Sequence, residues 1–173
     1  HDARRKIAIL SSLAFGKYVD YEDVYTEGIT KITSADFAYA KVLGSRIKLF
    51  GTSKKKEDGS ISAMVCPVMI TNEHPLFAVN DVMNAILVRG ESMGDLMFYG
   101  AGAGKLPTAS AVVGDIIDCV KHKGTNVMVI WDDEKLTLAD TSEEERRFFV
   151  RVPADVTEAT VKELFGDVNV VKA

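Results

Sequence analysis

The sequence lacks the features that mark membrane and nucleic-acid-binding proteins. No apolar run approaches the roughly 20 residues that a membrane-spanning helix needs. Four of the first six residues are charged, and the apolar stretch that follows is too short for the hydrophobic region of a signal peptide, so no signal peptide is predicted. The net charge is −4, and we therefore expect neither nucleic acid nor an anionic membrane as a partner. These absences favour a globular cytoplasmic protein.

Cysteine is scarce as well. The two cysteines, Cys66 and Cys119, have no metal-ligand spacing and each lies beside apolar residues. We expect reduced thiols in the core of a cytoplasmic protein rather than a disulfide, and no metal site.

The length of 173 residues fits one domain with a small appendage. We expect a main domain over residues 1–125, a linker over 126–145 that contains an acidic stretch, and a tail over 146–173. The sequence begins at His1 rather than Met, and a helical pattern begins at once. We therefore expect either a fragment of a longer protein or a chain whose earlier part has been removed.

Hydrophobic periodicity and turn residues predict an α+β fold, a mostly antiparallel sheet covered by helices, with a short C-terminal βαβ-like tail. Glycines and a capping pattern mark the ends of several of these elements. Helices are predicted over 2–15, 34–43, 107–121 and 157–165, and strands over 46–53, 60–70, 84–89, 95–99, 148–152 and 168–171.

Asp2 and Lys6 are the first candidates for chemistry. A spacing of four residues places both side chains on one face of the first helix, within mutual reach. Taken alone, such a pair is most often a solvated ion pair that contributes little to stability. The pair by itself therefore does not indicate a function.

That interpretation changes because four segments of the sequence resemble segments of one known family and occur in the same order. Residues 2–16 resemble the homoserine dehydrogenase signature, which ends in Gly-x-Asp-x-x-x-Lys before an apolar helix; its Gly would precede His1. Further matches lie in 27–41, in 74–86 and, most strongly, in 98–115. The resemblance covers about residues 2–121. Agreement of several unrelated strings in order is far more specific than any one of them.

The resemblance implies an enzyme that interconverts L-homoserine and L-aspartate 4-semialdehyde in threonine, methionine and isoleucine biosynthesis and forms homodimers through its sheet. Lys6 matches the family's proton-transfer lysine, and Asp2 matches an aspartate that contacts the substrate. A positioned ammonium suits this reaction because it donates a proton and stabilises alkoxide charge. The cofactor, NADP or NAD, would be bound mainly by a preceding domain that this sequence lacks, so we expect the isolated chain to be inactive.

A glycine-rich loop runs from Gly100 to Gly104. It is not a dinucleotide-binding fingerprint, because it lacks the spacing and the strand–helix context, and as a bare string it predicts a tight connection. Within the resemblance, Gly102 and Gly104 are the candidate cofactor contacts, since a backbone without side chains allows close approach. The apolar helix over 107–121 would pack on the nucleotide-binding domain.

The tail departs from the family. Residues 147–152 resemble the first strand of a regulatory ACT domain, but the turn expected next is replaced at 153–157, and 146–173 is too short for the whole domain. We therefore interpret the tail as a truncated ACT-like unit. The alternative to an enzyme domain is a non-catalytic dimerisation or interaction module that keeps the fold.

Overall fold

A computed structural model of the chain describes residues 1–125 and 131–171, and its architecture is α+β, as predicted. It divides into two compact units, one made of residues 1–70 and 131–173 and the other of residues 71–130. The first five residues of the predicted linker, 126–130, lie outside the described part. The helices are α1 Asp2–Phe15, α2 Ser34–Val42, α3 Lys105–Lys121 and α4 Glu158–Phe165; the strands are β1 Lys17–Tyr18, β2 Tyr25–Thr26, β3 Ser45–Lys55, β4 Ile61–Thr71, β5 Met83–Gly90, β6 Gly94–Ala101 and β7 Asp132–Lys135.

Helix α1 supplies much of the core of the first unit. Its buried side chains include two serines, and their hydroxyls donate to helix carbonyls one turn back, Ser11 to Ile7 at 2.7 Å and Ser12 to Ala8 at 3.0 Å. These bonds satisfy the buried hydroxyls. The helix ends at Gly16, whose φ of 72° is left-handed and whose N–H donates to the Ser12 carbonyl.

The sheet beside α1 has three strands in the order β2-β4-β3. Strands β3 and β4 are joined by a short turn and form the predicted hairpin, and β4 is buried over most of its length. On β3, a Cβ added to Gly51 would lie 3.1 Å from the Ile7 Cβ, so glycine is what allows α1 to approach the strand this closely. The core cluster of α1, β4 and the intervening loop consists of Ile7, Ala8, Val19, Val24, Ala63 and Val65.

Strand β7 was not predicted. It pairs in parallel with β1, and the Asp132 N–H donates to the Gly16 carbonyl at 2.8 Å. All four β7 residues are charged and exposed, so the sequence shows no alternation of apolar and polar residues that would predict a strand. The strand forms through backbone hydrogen bonds to β1. Beyond it, Leu136 and Leu138 pack against the core cluster.

The second unit contains the antiparallel hairpin of β5 and β6, paired from Met83↔Ala101 to Gly90↔Gly94, as the sequence predicts. Helix α3 follows and begins at Lys105, two residues before the predicted start at Pro107. Every residue of α3 except the half-buried Pro107 is exposed, including its large apolar side chains. Cys119 on this helix is therefore a free, exposed thiol, and its prediction as a core residue is wrong because α3 lacks a covering element among the described residues.

In the tail, α4 confirms the predicted helix, but residues 148–152 and 168–171 form no strand. Strand propensity needs a partner strand to be realised, and none pairs with these segments in the described structure. Segment 147–152 is instead fixed by side chains: Arg151 contacts Asp36 of α2 at 2.9 Å, and the Phe149 and Tyr39 rings lie 6.2 Å apart. Across the described residues, no helix is long and apolar enough to cross a membrane.

Candidate active site

Asp2 and Lys6 form an ion pair on the first turns of α1. The Lys6 Nζ lies 2.8 Å from the Asp2 Oδ2, and the two side chains are 69% and 81% exposed. The geometry follows from the spacing, because residues four apart are neighbours on a helix surface. Asp2 also lies at the positive end of the helix dipole, where a carboxylate is favoured. The structure thus brings the two predicted residues together in an accessible position.

The electrostatics keep the Asp2 carboxylate ionised. The hydrogen bond from Lys6 is the main reason that the pKa of Asp2 lies below its usual value. An ionised carboxylate accepts hydrogen bonds from ammonium groups, whether that of Lys6 or that of a ligand. The Lys6 ammonium has three donors, so contact with Asp2 leaves it able to donate to a second oxygen.

The rest of the first turn of α1 is held by Tyr21, which the sequence analysis missed. The guanidinium carbons of Arg4 and Arg5 lie 5.5 Å and 5.1 Å from the centroid of the Tyr21 ring. Arg4 also donates to the backbone carbonyl of Glu22. No fixed sequence spacing links a helix to an aromatic ring in a following loop, so the pattern of residues could not have revealed this contact.

Tyr21 begins a short 3₁₀ helix, Tyr21–Asp23, that is itself anchored. Its N-cap, Asp20, accepts a hydrogen bond from the Glu22 N–H at 2.9 Å. The Lys135 Nζ lies 2.9 Å from Asp23 and 3.1 Å from Asp20. These bonds, the one to Asp23 foremost, raise the pKa of Lys135 to about 12, so the ammonium stays charged and ties β7 to the 3₁₀ helix.

Gly102 and Gly104 belong to the second unit, whereas Asp2 and Lys6 belong to the first. Gly104 is the N-cap of α3 and has φ 121° and ψ 158°, a conformation essentially restricted to glycine. At Gly102 a Cβ would overlap the Asn84 amide, and the Gly102 N–H donates to the Val82 carbonyl at 3.0 Å. The backbone conformation requires glycine at Gly104, whereas at Gly102 a side chain would have to displace the Asn84 amide. Neither position bears a side chain that would block a ligand.

No group of three or more His, Cys, Asp or Glu residues within the described ranges could hold a metal ion.

Comparison with known proteins decides the family. The sequence profile of the homoserine dehydrogenase family matches residues 1–117. The chain belongs to the homoserine dehydrogenase family. Homoserine dehydrogenase of Pseudomonas aeruginosa is 47% identical over 120 residues, which is 69% of this chain and 27% of that protein. The Helicobacter pylori enzyme is 42% identical over 151 residues, 87% of this chain and 36% of that protein.

Solved homoserine dehydrogenases share the fold. A crystal structure of the S. aureus enzyme at pH 6.5 aligns with a TM-score of 0.62 and 43% identity, covering 69% of this chain and 30% of that one. The Thiobacillus denitrificans enzyme aligns with a TM-score of 0.67 and 39% identity, covering 78% and 34%. The chain thus spans about a third of the length of the homoserine dehydrogenases it matches, and Asp2 and Lys6 lie within the matched family segment.

Proposed function

We propose that this chain supplies the substrate-binding and proton-transfer part of an enzyme that interconverts L-homoserine and L-aspartate 4-semialdehyde, in threonine, methionine and isoleucine biosynthesis. In this proposal residues 1–125 form the substrate domain, 126–145 a linker and 146–173 a truncated ACT-like tail. The observation that carries it is the Asp2–Lys6 pair, ionised and exposed at the start of α1 in a homoserine dehydrogenase chain.

Lys6 is the proposed proton-transfer group. Reduction of the aldehyde places negative charge on its oxygen, and an ammonium within hydrogen-bond distance both stabilises that charge and donates the proton. In the reverse direction the neutral amine takes the proton from the hydroxyl. Asp2 holds the ammonium in place and offers its other oxygen to the substrate. One rigid helix carries both groups, which fixes their mutual distance.

NAD or NADP is the proposed cofactor, and when bound it supplies or accepts the hydride. The loop that contains Gly102 and Gly104 fits such a group, because it exposes backbone without side chains at the N-terminus of a long helix. Backbone N–H groups at that end favour the negative charge of a pyrophosphate. Most cofactor contacts would come from a nucleotide-binding domain outside this chain.

We also propose that the protein is a cytoplasmic homodimer. The β5–β6 hairpin exposes apolar side chains, among them Ile86, Leu96 and Phe98. A two-stranded hairpin alone is marginal in water, and pairing with a second copy would cover it. This same surface supports the second candidate function, a non-catalytic dimerisation module that keeps the fold, because it does not involve Asp2 or Lys6.

Steady-state kinetics of variants in the intact enzyme, in the direction of semialdehyde reduction, test the proposal. We expect Lys6→Ala to lower kcat by about 10²–10⁴-fold, since its main interaction forms in the transition state. Asp2→Ala should raise KM and lower kcat. Lys41→Ala, at an exposed position near the end of α2, is the control and should leave both constants unchanged. A kcat for Lys6→Ala within about threefold of the parent, less than 1 kcal/mol in barrier, would refute the role of Lys6 and assign proton transfer to a lysine outside this chain.

A further inference from the structure

We infer that Tyr21 is a positioning residue that fixes the first turn of α1 and thereby the orientation of Asp2 and Lys6. This inference rests on the proposed function of those two residues. The fully buried side chains of α1 begin at Ile7, and in the turn that carries Asp2 the contact with the core cluster comes from Ala3, a small and partly buried side chain. The first turn of a helix also has unpaired N–H groups and frays most easily. Contacts beyond this one small side chain are therefore needed to fix the direction of the first turn.

The two arginines between Asp2 and Lys6 make those contacts. Each residue advances an α-helix by about 100°, so Arg4 points away from the Asp2–Lys6 pair and Arg5 lies beside it. Both guanidinium groups lie within 5.5 Å of the centroid of the Tyr21 ring. A ring held by two cations on different sides of one helix resists rotation of that helix about its axis. Such a rotation would turn Lys6 away from its substrate.

The Tyr21 ring is itself held in place by contacts within the first unit. Tyr21 packs against the core cluster, and its 3₁₀ helix is closed by the Asp20 cap. Lys135 of β7 bridges Asp20 and Asp23 at 3.1 Å and 2.9 Å. Contacts thus run from β7 through the 3₁₀ helix to Tyr21 and the first turn of α1. Because every group in this series lies in the first unit, the arrangement is a property of that unit alone.

The test compares Tyr21→Leu, which removes the π face, with Tyr21→Phe, which keeps it, in the intact enzyme. Misplacing a catalytic group by about 1 Å can cost up to about a hundredfold in rate. We expect Tyr21→Leu to lower kcat about tenfold or more per folded active site, and Tyr21→Phe to stay within about twofold of the parent. Arg5→Met keeps the aliphatic stem and removes the cation, and it should lower kcat as Tyr21→Leu does. It replaces Tyr21→Leu in the test if that variant folds poorly.

A double-mutant cycle separates positioning from general stability. If Tyr21 acts through Lys6, Tyr21→Leu has no further effect on kcat in the Lys6→Ala background. The inference is overturned if Tyr21→Leu and Arg5→Met keep the parental kcat, if Tyr21→Phe is as slow as Tyr21→Leu, or if the loss is the same with and without Lys6. A parental kcat for Lys6→Ala would instead refute the proposed function, so the two failures are distinguishable.

Discussion

Single residues in this chain serve the site and the fold in different ways. The Asp2–Lys6 pair is exposed, and exposed ion pairs contribute little to stability, so its place in the protein is not explained by folding. Asp36 differs, because its carboxylate is 7% exposed and fully engaged. It accepts from the Thr33 N–H at 2.7 Å, one half of a capping box, and from Arg151.

Asp36 provides a pH-dependent prediction. The backbone hydrogen bond from Thr33, followed by that from its hydroxyl, lowers the pKa of Asp36 in the folded protein. A carboxyl with a depressed folded pKa stabilises the fold above its unfolded pKa, about 3.9, and this stability is lost as pH falls through the folded value. We expect Asp36→Asn to be less stable than the parent at pH 7, with the difference shrinking in acid. Urea unfolding from about pH 7 down to about pH 3 measures this.

Glu57→Gln, in the exposed turn between β3 and β4, is the control for removing one negative charge. A gap between Asp36→Asn and the parent that stays constant across the pH range would contradict the assigned role.

The limits of sequence reasoning are clearest at the residue scale. The Asp2–Lys6 geometry follows from a spacing of four, and the Thr33–Asp36 cap from a spacing of three. The stacking of Arg4 and Arg5 on Tyr21 depends on how the chain turns after Gly16, which no local pattern encodes. Local rules therefore predict the pair at the site but not the residue that holds it.

Helices and strands form where the sequence predicts them when the local pattern of apolar and polar residues matches the burial of that segment. Helices α1, α2 and α4 and both hairpins form close to their predicted bounds, because periodicity and turn residues report which face is buried. The prediction is wrong in opposite ways for strand β7 and for segment 148–152. The first pairs despite a fully charged sequence, and the second stays unpaired despite an apolar one. Whether a partner edge is available depends on tertiary structure, which local composition does not report.

The junction between β6 and α3 carries the prediction at this scale. Gly104 has φ 121° and ψ 158°, which a side chain adopts only at a cost of about 1–3 kcal/mol. Gly104→Ala should therefore distort the start of α3 and raise the KM for NAD(P) in the intact enzyme. Gly114→Ala, in the middle of the same helix, meets nothing within 4 Å and should instead stabilise α3 by up to about 1 kcal/mol.

Kinetics with varied cofactor, together with thermal unfolding, distinguish the two variants. If Gly104→Ala and Gly114→Ala gave the same cofactor KM, the loop would have no place in cofactor binding.

At the scale of the whole molecule, the exposed apolar surface of the second unit is what most needs an explanation. Helix α3 exposes Leu106, Val112, Val113, Ile116, Ile117 and Val120. Large exposed apolar patches mark interfaces. In the proposed whole enzyme the α3 surface would pack on the nucleotide-binding domain, and the hairpin is the surface proposed for a second copy.

Alternation along the strands selects one face of the hairpin for that dimer. Side chains at every second position share a face, and the register pairs Ile86 with Phe98 and Val88 with Leu96. Phe98, 58% exposed, is the largest of the four. Truncating or charging a central aromatic contact typically costs about 2 kcal/mol or more, about thirtyfold in Kd. We therefore expect Phe98→Lys to shift the protein from dimer to monomer in light scattering at micromolar concentration.

Tyr99→Lys is the matched control, because Tyr99 pairs with Ala85 on the opposite face and is similarly exposed, at 54%. Both variants keep α3 unchanged, so any association through its apolar residues is common to them and cancels in the comparison. If Phe98→Lys loses the dimer and Tyr99→Lys keeps it, the interface lies on the face that carries Ile86 and Leu96. A charge introduced on that face would then be buried in the dimer without a partner, which is unfavourable. Equal dimerisation of the two variants, or a monomeric parent, would remove the hairpin as the dimer surface.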